Sequence, residues 1–136
     1  MKIFIVGSKH FYHRIEDIKS ELEKAGHKIT LPVSFDQPFA EVGVKKSGHE
    51  EHVEWKRKAF LEQEQKVKDN EAILVLNFEK EGKSNYIGGS TFLEIYEAWR
   101  LGKKIFLYNS IPKNILTDEI EGFNPIIING DLSKIK

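Results

Sequence analysis

Ala72-Ile73-Leu74-Val75-Leu76 is an unbroken apolar run set between Asn70-Glu71 and Asn77. A strand with one wet face alternates polar and apolar residues. One that does not alternate is covered on both faces, as in a parallel sheet flanked by helices. Working outward, residues before and after this run supply the helices such a sheet needs. Upstream, Val53, Lys56, Phe60, Gln63 and Val67 recur at helical spacing, and the helix ends near Asp69-Asn70. Ser47-Gly48-His49-Glu50 has the pattern of a capping box at its start. Downstream, a charged loop from Phe78 to Tyr86 leads to Gly88-Gly89-Ser90-Thr91, which opens a second helix that Gly102 stops.

The same alternation extends to both ends. Ile3-Phe4-Ile5-Val6 is a second continuous apolar run, closed by Gly7-Ser8. Phe11, Ile15, Ile18, Leu22 and Ala25 then share a helical face that stops at Gly26. Lys28 to Leu31 forms a strand closed by Pro32, and polar residues 33–48 read as a long loop. Lys104-Ile105-Phe106-Leu107-Tyr108 is a fourth strand, followed by a short helix near Ile115 to Ile120 and a last strand at Pro125-Ile126-Ile127-Ile128. Strand–helix alternation predicts an α/β fold: one flavodoxin-like, Rossmann-like domain over residues 1–136. Its five parallel strands would lie in the order 2-1-3-4-5 with helices on both faces. In such sheets the ligand sits beyond the carboxyl ends of the strands, near the switch between the first and third. Gly7-Ser8, Pro32, Asn77 and Asn109 stand at those ends, and the Gly88 turn reaches the same rim.

Composition excludes several functions. Acidic and basic residues balance at 21 each, so there is no basic footprint for a nucleic acid polymer or a membrane surface. Without cysteine there is no disulfide, thiolate metal site or cysteine nucleophile. His49-Glu50-Glu51-His52 lacks the i, i+4 histidine pair of a zinc helix and a third ligand, so no metal is expected. Gly7-Ser8-Lys9 lacks dinucleotide-binding spacing, and Gly82-Lys83-Ser84 is an incomplete phosphate loop, so no nucleotide cofactor is expected either. No apolar run reaches membrane-spanning length. A soluble cytoplasmic protein is the expectation.

The candidate chemistry centres on Glu94. It sits one turn into a helix among Phe92, Leu93, Ile95 and Tyr96, and a carboxylate on an apolar segment is costly to bury unless it is paired or used. Small residues with free N–H groups at Gly88, Gly89, Ser90 and Thr91 suit an anion at the helix start. The alternative is an ordinary helix start with a glutamate that reaches solvent. Aromatic residues Phe11, Tyr12, Trp55 and Trp99 read either as core or as stacking surface for a base. His10 and His13 read as loop histidines within reach of the rim.

Gly7-Ser8 after the first strand, the Gly88-Gly89-Ser90-Thr91 opening of the Glu94 helix, and Ala98-x-x-Leu101-Gly102-Lys103-Lys104-Ile105 together resemble the nucleoside 2-deoxyribosyltransferase-like superfamily. That group includes nucleoside deoxyribosyltransferases and deoxynucleoside monophosphate N-glycosidases. The resemblance implies a retaining mechanism with Glu94 as nucleophile on the anomeric carbon. It implies a small-molecule nucleoside or nucleotide as substrate, with Gly7 and Ser8 lining the sugar and base pocket. Gly88, Gly89, Ser90, Thr91, Asn77 and Asn109 complete the expected substrate-binding set. A homodimer or higher homo-oligomer is implied as well. Three positions depart from the family pattern. Gln63 falls where an acid is usual, Gly88 where aspartate or serine is usual, and Phe4 where a first-strand tyrosine is common. A nucleotide-binding or sensing module with a degenerate site is therefore the second reading. A third is an interaction domain in which Glu94 is tied to a cation such as Arg100.

Overall fold

A computed structural model describes residues 1–136. Five strands form one parallel sheet: β1 Lys2–Gly7, β2 Lys28–Thr30, β3 Ala72–Leu76, β4 Lys104–Leu107 and β5 Ile126–Ile127, in the order β2-β1-β3-β4-β5. The 2-1-3-4-5 expectation is met. Every residue of β3 is buried, as its lack of alternation requires. Ile3, Ile5, Leu74 and Phe106 point to one face of the sheet, while Phe4, Val6, Ile73, Val75 and Leu107 point to the other. The first face is covered by α1 (Ile15–Lys24) and the C-terminal residues Leu132 and Ile135. The second is covered by α4 (Gly89–Arg100), α5 (Thr117–Gly122) and the C-terminal half of α3 (His49–Lys68).

Several boundaries differ from the sequence reading, each for a local reason. The first helix begins as a 3-10 segment, Lys9–Arg14, before becoming regular at Ile15. The Ser8 hydroxyl accepts the His10 N–H at 3.4 Å and fixes that tight start. Residues 33–48 are not all loop, since Ala40–Ser47 forms α2. That helix uses Ser47 as its last residue, and the Ser47 hydroxyl donates back to the Gly43 carbonyl at 3.3 Å. The capping box therefore does not form; Gly48 joins α2 to α3 with no side-chain cap.

The expected inward stripe of α3 holds only at its C-terminal end. Gln63 and Val67 are buried, whereas Val53 is 52% exposed and Phe60 is also exposed. Length explains the split. A 20-residue helix runs about 30 Å, but five residues of β3 run only about 17 Å. The N-terminal half of α3 overhangs the sheet, packs on α2, and becomes a wall of the rim rather than part of the core.

No helix is long and apolar enough to cross a membrane.

Candidate functional site

A cavity of about 270 Å³ opens at the carboxyl ends of β1 and β2, where the overhanging part of α3 faces the start of α4. Gly7, Ser8, Gln63, Gly88, Gly89, Ser90, Thr91 and Glu94 all line it. The fold thus brings eight of the ten expected site residues together. Gly7 permits the close approach on which this rim depends. Its φ is +154°, and a Cβ there would stand 2.9 Å from the Leu76 carbonyl oxygen of the neighbouring strand.

Asn77 and Asn109 are placed elsewhere. The Asn77 amide donates to the carbonyls of Asn109 and Ser110, each at 3.0 Å, and its Oδ1 accepts the Asn109 N–H at 2.8 Å. Asn109 returns a bond from its side-chain amide to the Asn77 carbonyl at 3.1 Å. Neither residue lines the cavity. With 0% of Asn77 exposed, the pair is a structural clasp between the ends of β3 and β4.

Glu94 is 7% exposed and lies on the α4 face that packs toward α3. Burial dominates its titration and pushes the carboxyl up to about 8, against the opposing pull of Gln63, Lys66 and Lys56. The Gln63 carboxamide lies close enough to favour the ionised form, yet its well-directed bond goes to the Ser90 carbonyl at 3.2 Å. Arg100 pairs with Glu97 at 2.8 Å and not with Glu94, which removes the structural tie considered above. Gln63 and Glu94 also line a smaller cavity of about 160 Å³ between α3 and α4, bordered by Phe60, Leu93 and Tyr96. The two side chains form the partition between the cavities.

The start of α4 is open to the main cavity. Gly88 caps the helix with no side-chain hydrogen bond, so the first-turn amides keep their unpaired donors and positive potential. The Tyr86 hydroxyl stands 3.2 Å from the point a Cβ on residue 88 would occupy. A phenol from the preceding loop thus fills the space a side chain at 88 would take.

Further lining residues were not singled out as site residues from sequence. Tyr12 and Trp55 line the cavity, and Tyr12 also packs on the core and against Phe35. Phe11 is core, edge-on to Phe78, and Trp99 is 50% exposed on the outer face of α4. The Tyr12 hydroxyl is pushed up to about 12, first by burial and then by the nearby Glu94 charge, so it remains a neutral donor. Lys9, Lys56 and Glu41 also line the cavity, and residues Pro32, Val33, Ser34 and Pro38 form its roof. Only the length of the 33–48 segment hinted at this roof. His10 and His13 lie in a separate groove with Arg14 and Phe78. No cluster of side chains suited to a metal ion is present.

Comparison with protein-family models gives no match, and comparison with curated proteins gives none either.

Proposed function

We propose that the protein cleaves or transfers the N-glycosidic bond of a nucleoside or nucleotide, with Glu94 as nucleophile. The observation that carries this reading is a nearly buried carboxyl lining the same cavity as an uncapped helix start. Burial raises it to about 8, so the attacking species is its ionised form. Glu94 can attack a carbon while the helix start, one turn away on α4, holds an anion or a sugar hydroxyl. In the first step an oxygen of ionised Glu94 bonds to the anomeric carbon as the carbon–nitrogen bond breaks; the electron pair leaves with the base, which takes a proton from water and leaves hydroxide. In the second, water or another base gives its proton to that hydroxide as it displaces the carboxylate, which returns Glu94 to its ionised form and releases the sugar. Tyr12 and Trp55 offer a surface for the base, and Tyr86 a hydroxyl near the sugar. No cofactor or metal takes part in this scheme.

The superfamily resemblance supports the same reading and implies self-association. The outer faces of α3 and α4 expose Phe60, Leu93, Tyr96 and Trp99, an apolar patch suited to a second copy of the chain. A nucleotide substrate would place the protein in the cytoplasm.

One observation favours the second reading, a binding or sensing module. Gln63 lines the cavity with Glu94 at the position where the resemblance implies an acid to protonate the leaving base, and a carboxamide has no titrating proton. The test is base release from a panel of deoxynucleosides and their 5′-monophosphates, followed by chromatography. Release that disappears in Glu94→Gln supports the enzyme. Saturable binding without release supports the sensor.

A further inference from the structure

Glu41 and Lys56 form a polar contact inside the cavity that the glycosidic chemistry does not use. The Lys56 ammonium donates to the Ser90 hydroxyl at 3.0 Å, at the opening of α4, and lies 3.5 Å from Glu41 Oε1. The other Glu41 oxygen meets His52 Nε2 at 2.7 Å. Glu41 belongs to α2, the helical part of the roof, whereas Lys56 and His52 belong to the wall helix α3. Both members of the pair line the cavity, and both side chains are about three-quarters to two-thirds buried, 24% and 31% exposed. Partial burial pushes the Glu41 carboxyl up, but His52 first, then Lys56 and Lys45, together hold it below its usual range. Glu41 therefore stays charged, and a carboxylate already occupies the one lysine bound to the start of α4.

We propose that Lys56 reads the anionic group of the ligand and that Glu41 is its internal stand-in, displaced when a phosphate enters. A second feature, independent of the helix start, marks the cavity as a ligand site: Glu94, more than nine-tenths buried, lines it without a well-directed hydrogen bond. A phosphate offers Lys56 two negative charges and can also accept the first-turn amides of α4, which Glu41 does not. Entry of the anion exchanges the Glu41–Lys56 contact for a stronger one and removes one of the two polar ties Glu41 makes between roof and wall, the bond to His52 remaining. Only the identity of the rest of the ligand rests on the nucleotide reading above.

Inorganic phosphate is the probe, titrated calorimetrically into the wild-type chain, Glu41→Gln, Lys56→Met, Lys56→Arg and Lys9→Met. Removing the competing carboxylate should tighten phosphate about 2- to 5-fold, the scale of a partly exposed ion pair. Lys56→Met should weaken it by about 10-fold or more, as expected for loss of a charge-assisted hydrogen bond. Lys56→Arg should retain most of the affinity, and Lys9→Met, which alters the other cavity lysine, should change it less than Lys56→Met. Amide exchange over residues 40–47 should quicken when phosphate binds, and should already be fast in Glu41→Gln without it. Unchanged or weaker phosphate binding in Glu41→Gln, or exchange over α2 that ignores phosphate, overturns the proposal even if Lys56→Met does not fold. Glu94→Gln separates the two ideas. It should keep the phosphate response, so loss of base release there bears on the nucleophile and not on Lys56.

Discussion

Two buried polar side chains, Asn77 after β3 and Glu94 on α4, lie at the carboxyl rim of the sheet, and they are built in opposite ways. At the ends of β3 and β4, Asn77 is wholly buried and engaged with backbone groups of Asn109 and Ser110. At the ends of β1 and β2, Glu94 is nearly as buried, yet its carboxyl is pushed up to about 8 and the adjacent helix start is uncapped. The first arrangement holds the fold together; the second costs it stability, because burial penalises the charged carboxylate. A polar group held by backbone at a strand end is thus structural, and an ionisable one buried beside a cavity, where burial opposes its charge, is a candidate for chemistry. The two asparagines looked like site residues only because sequence shows where a polar residue stands and not what it bonds.

The largest break between the regions should appear in Glu94→Gln. The variant is nearly isosteric, so the fold should persist while base release falls by about 10³-fold or more, as for loss of a covalent nucleophile. Stability should move the other way. Glu94 has a folded-state pKa raised above its unfolded value, so between about 4.5 and 8 the folded chain holds a proton that the unfolded chain has released. Stability from this group therefore declines as pH rises through that window, by about 1.4 kcal/mol per unit. Urea melts at pH 5 and 8 should show Glu94→Gln gaining on the wild type at pH 8, by up to a few kcal/mol, with little difference at pH 5. Asn77→Ala should do the reverse of the first result, losing about 2–4 kcal/mol because several buried backbone groups are left unpaired. If Glu94→Gln instead destabilises at pH 8, the carboxyl is a satisfied structural group and the contrast collapses.

The strand order and the buried run at 72–76 were legible because a period, or the lack of one, is written into the residues themselves. So was the convergence of Ser8, Gln63, Glu94 and the Gly88 turn, since topology alone delivers strand ends and helix starts to one rim. The roof was not. Residues 33–48 include Val33, Phe35, Phe39, Ala40, Val42 and Val44, but these do not form a continuous helical stripe, and α2 buries none of its residues and is held by packing on the overhang of α3. That overhang depends on a mismatch between helix and strand lengths. Lys56 was visible only as a polar residue on an apolar stripe, and its partners come from positions 15 residues before and 34 after. Tyr86 was hidden in the same way, since only the fold shows its hydroxyl beside Gly88.

Restoring a carboxyl beside Glu94 sharpens the comparison from within the cavity. Gln63→Glu places a second acid on the partition between the two cavities, where like charges and burial keep one of the pair protonated near neutral pH. A protonated acid there can donate to the leaving base, so base release should rise by up to ~10²-fold, the scale of a positioned general acid. The gain should be greatest for bases that leave poorly. A folded Gln63→Glu with an unchanged rate would show that residue 63 does not face the leaving group.

The smallest expected effect concerns the ligand's charged end. If the uncapped start of α4 and Lys56 lie beside the 5′ position, a deoxynucleoside monophosphate should bind more tightly than its nucleoside by about 1–3 kcal/mol. The preference should shrink as salt is added, because the site opens to solvent and its charges are screened. The nucleoside's own affinity should respond less. Measuring both ligands at low and high ionic strength separates a phosphate held at the helix start from one that merely projects into water. Equal affinities, or a preference unmoved by salt, would leave the first turn of α4 to a sugar hydroxyl. The contrast with the asparagine clasp would then rest on Glu94 alone.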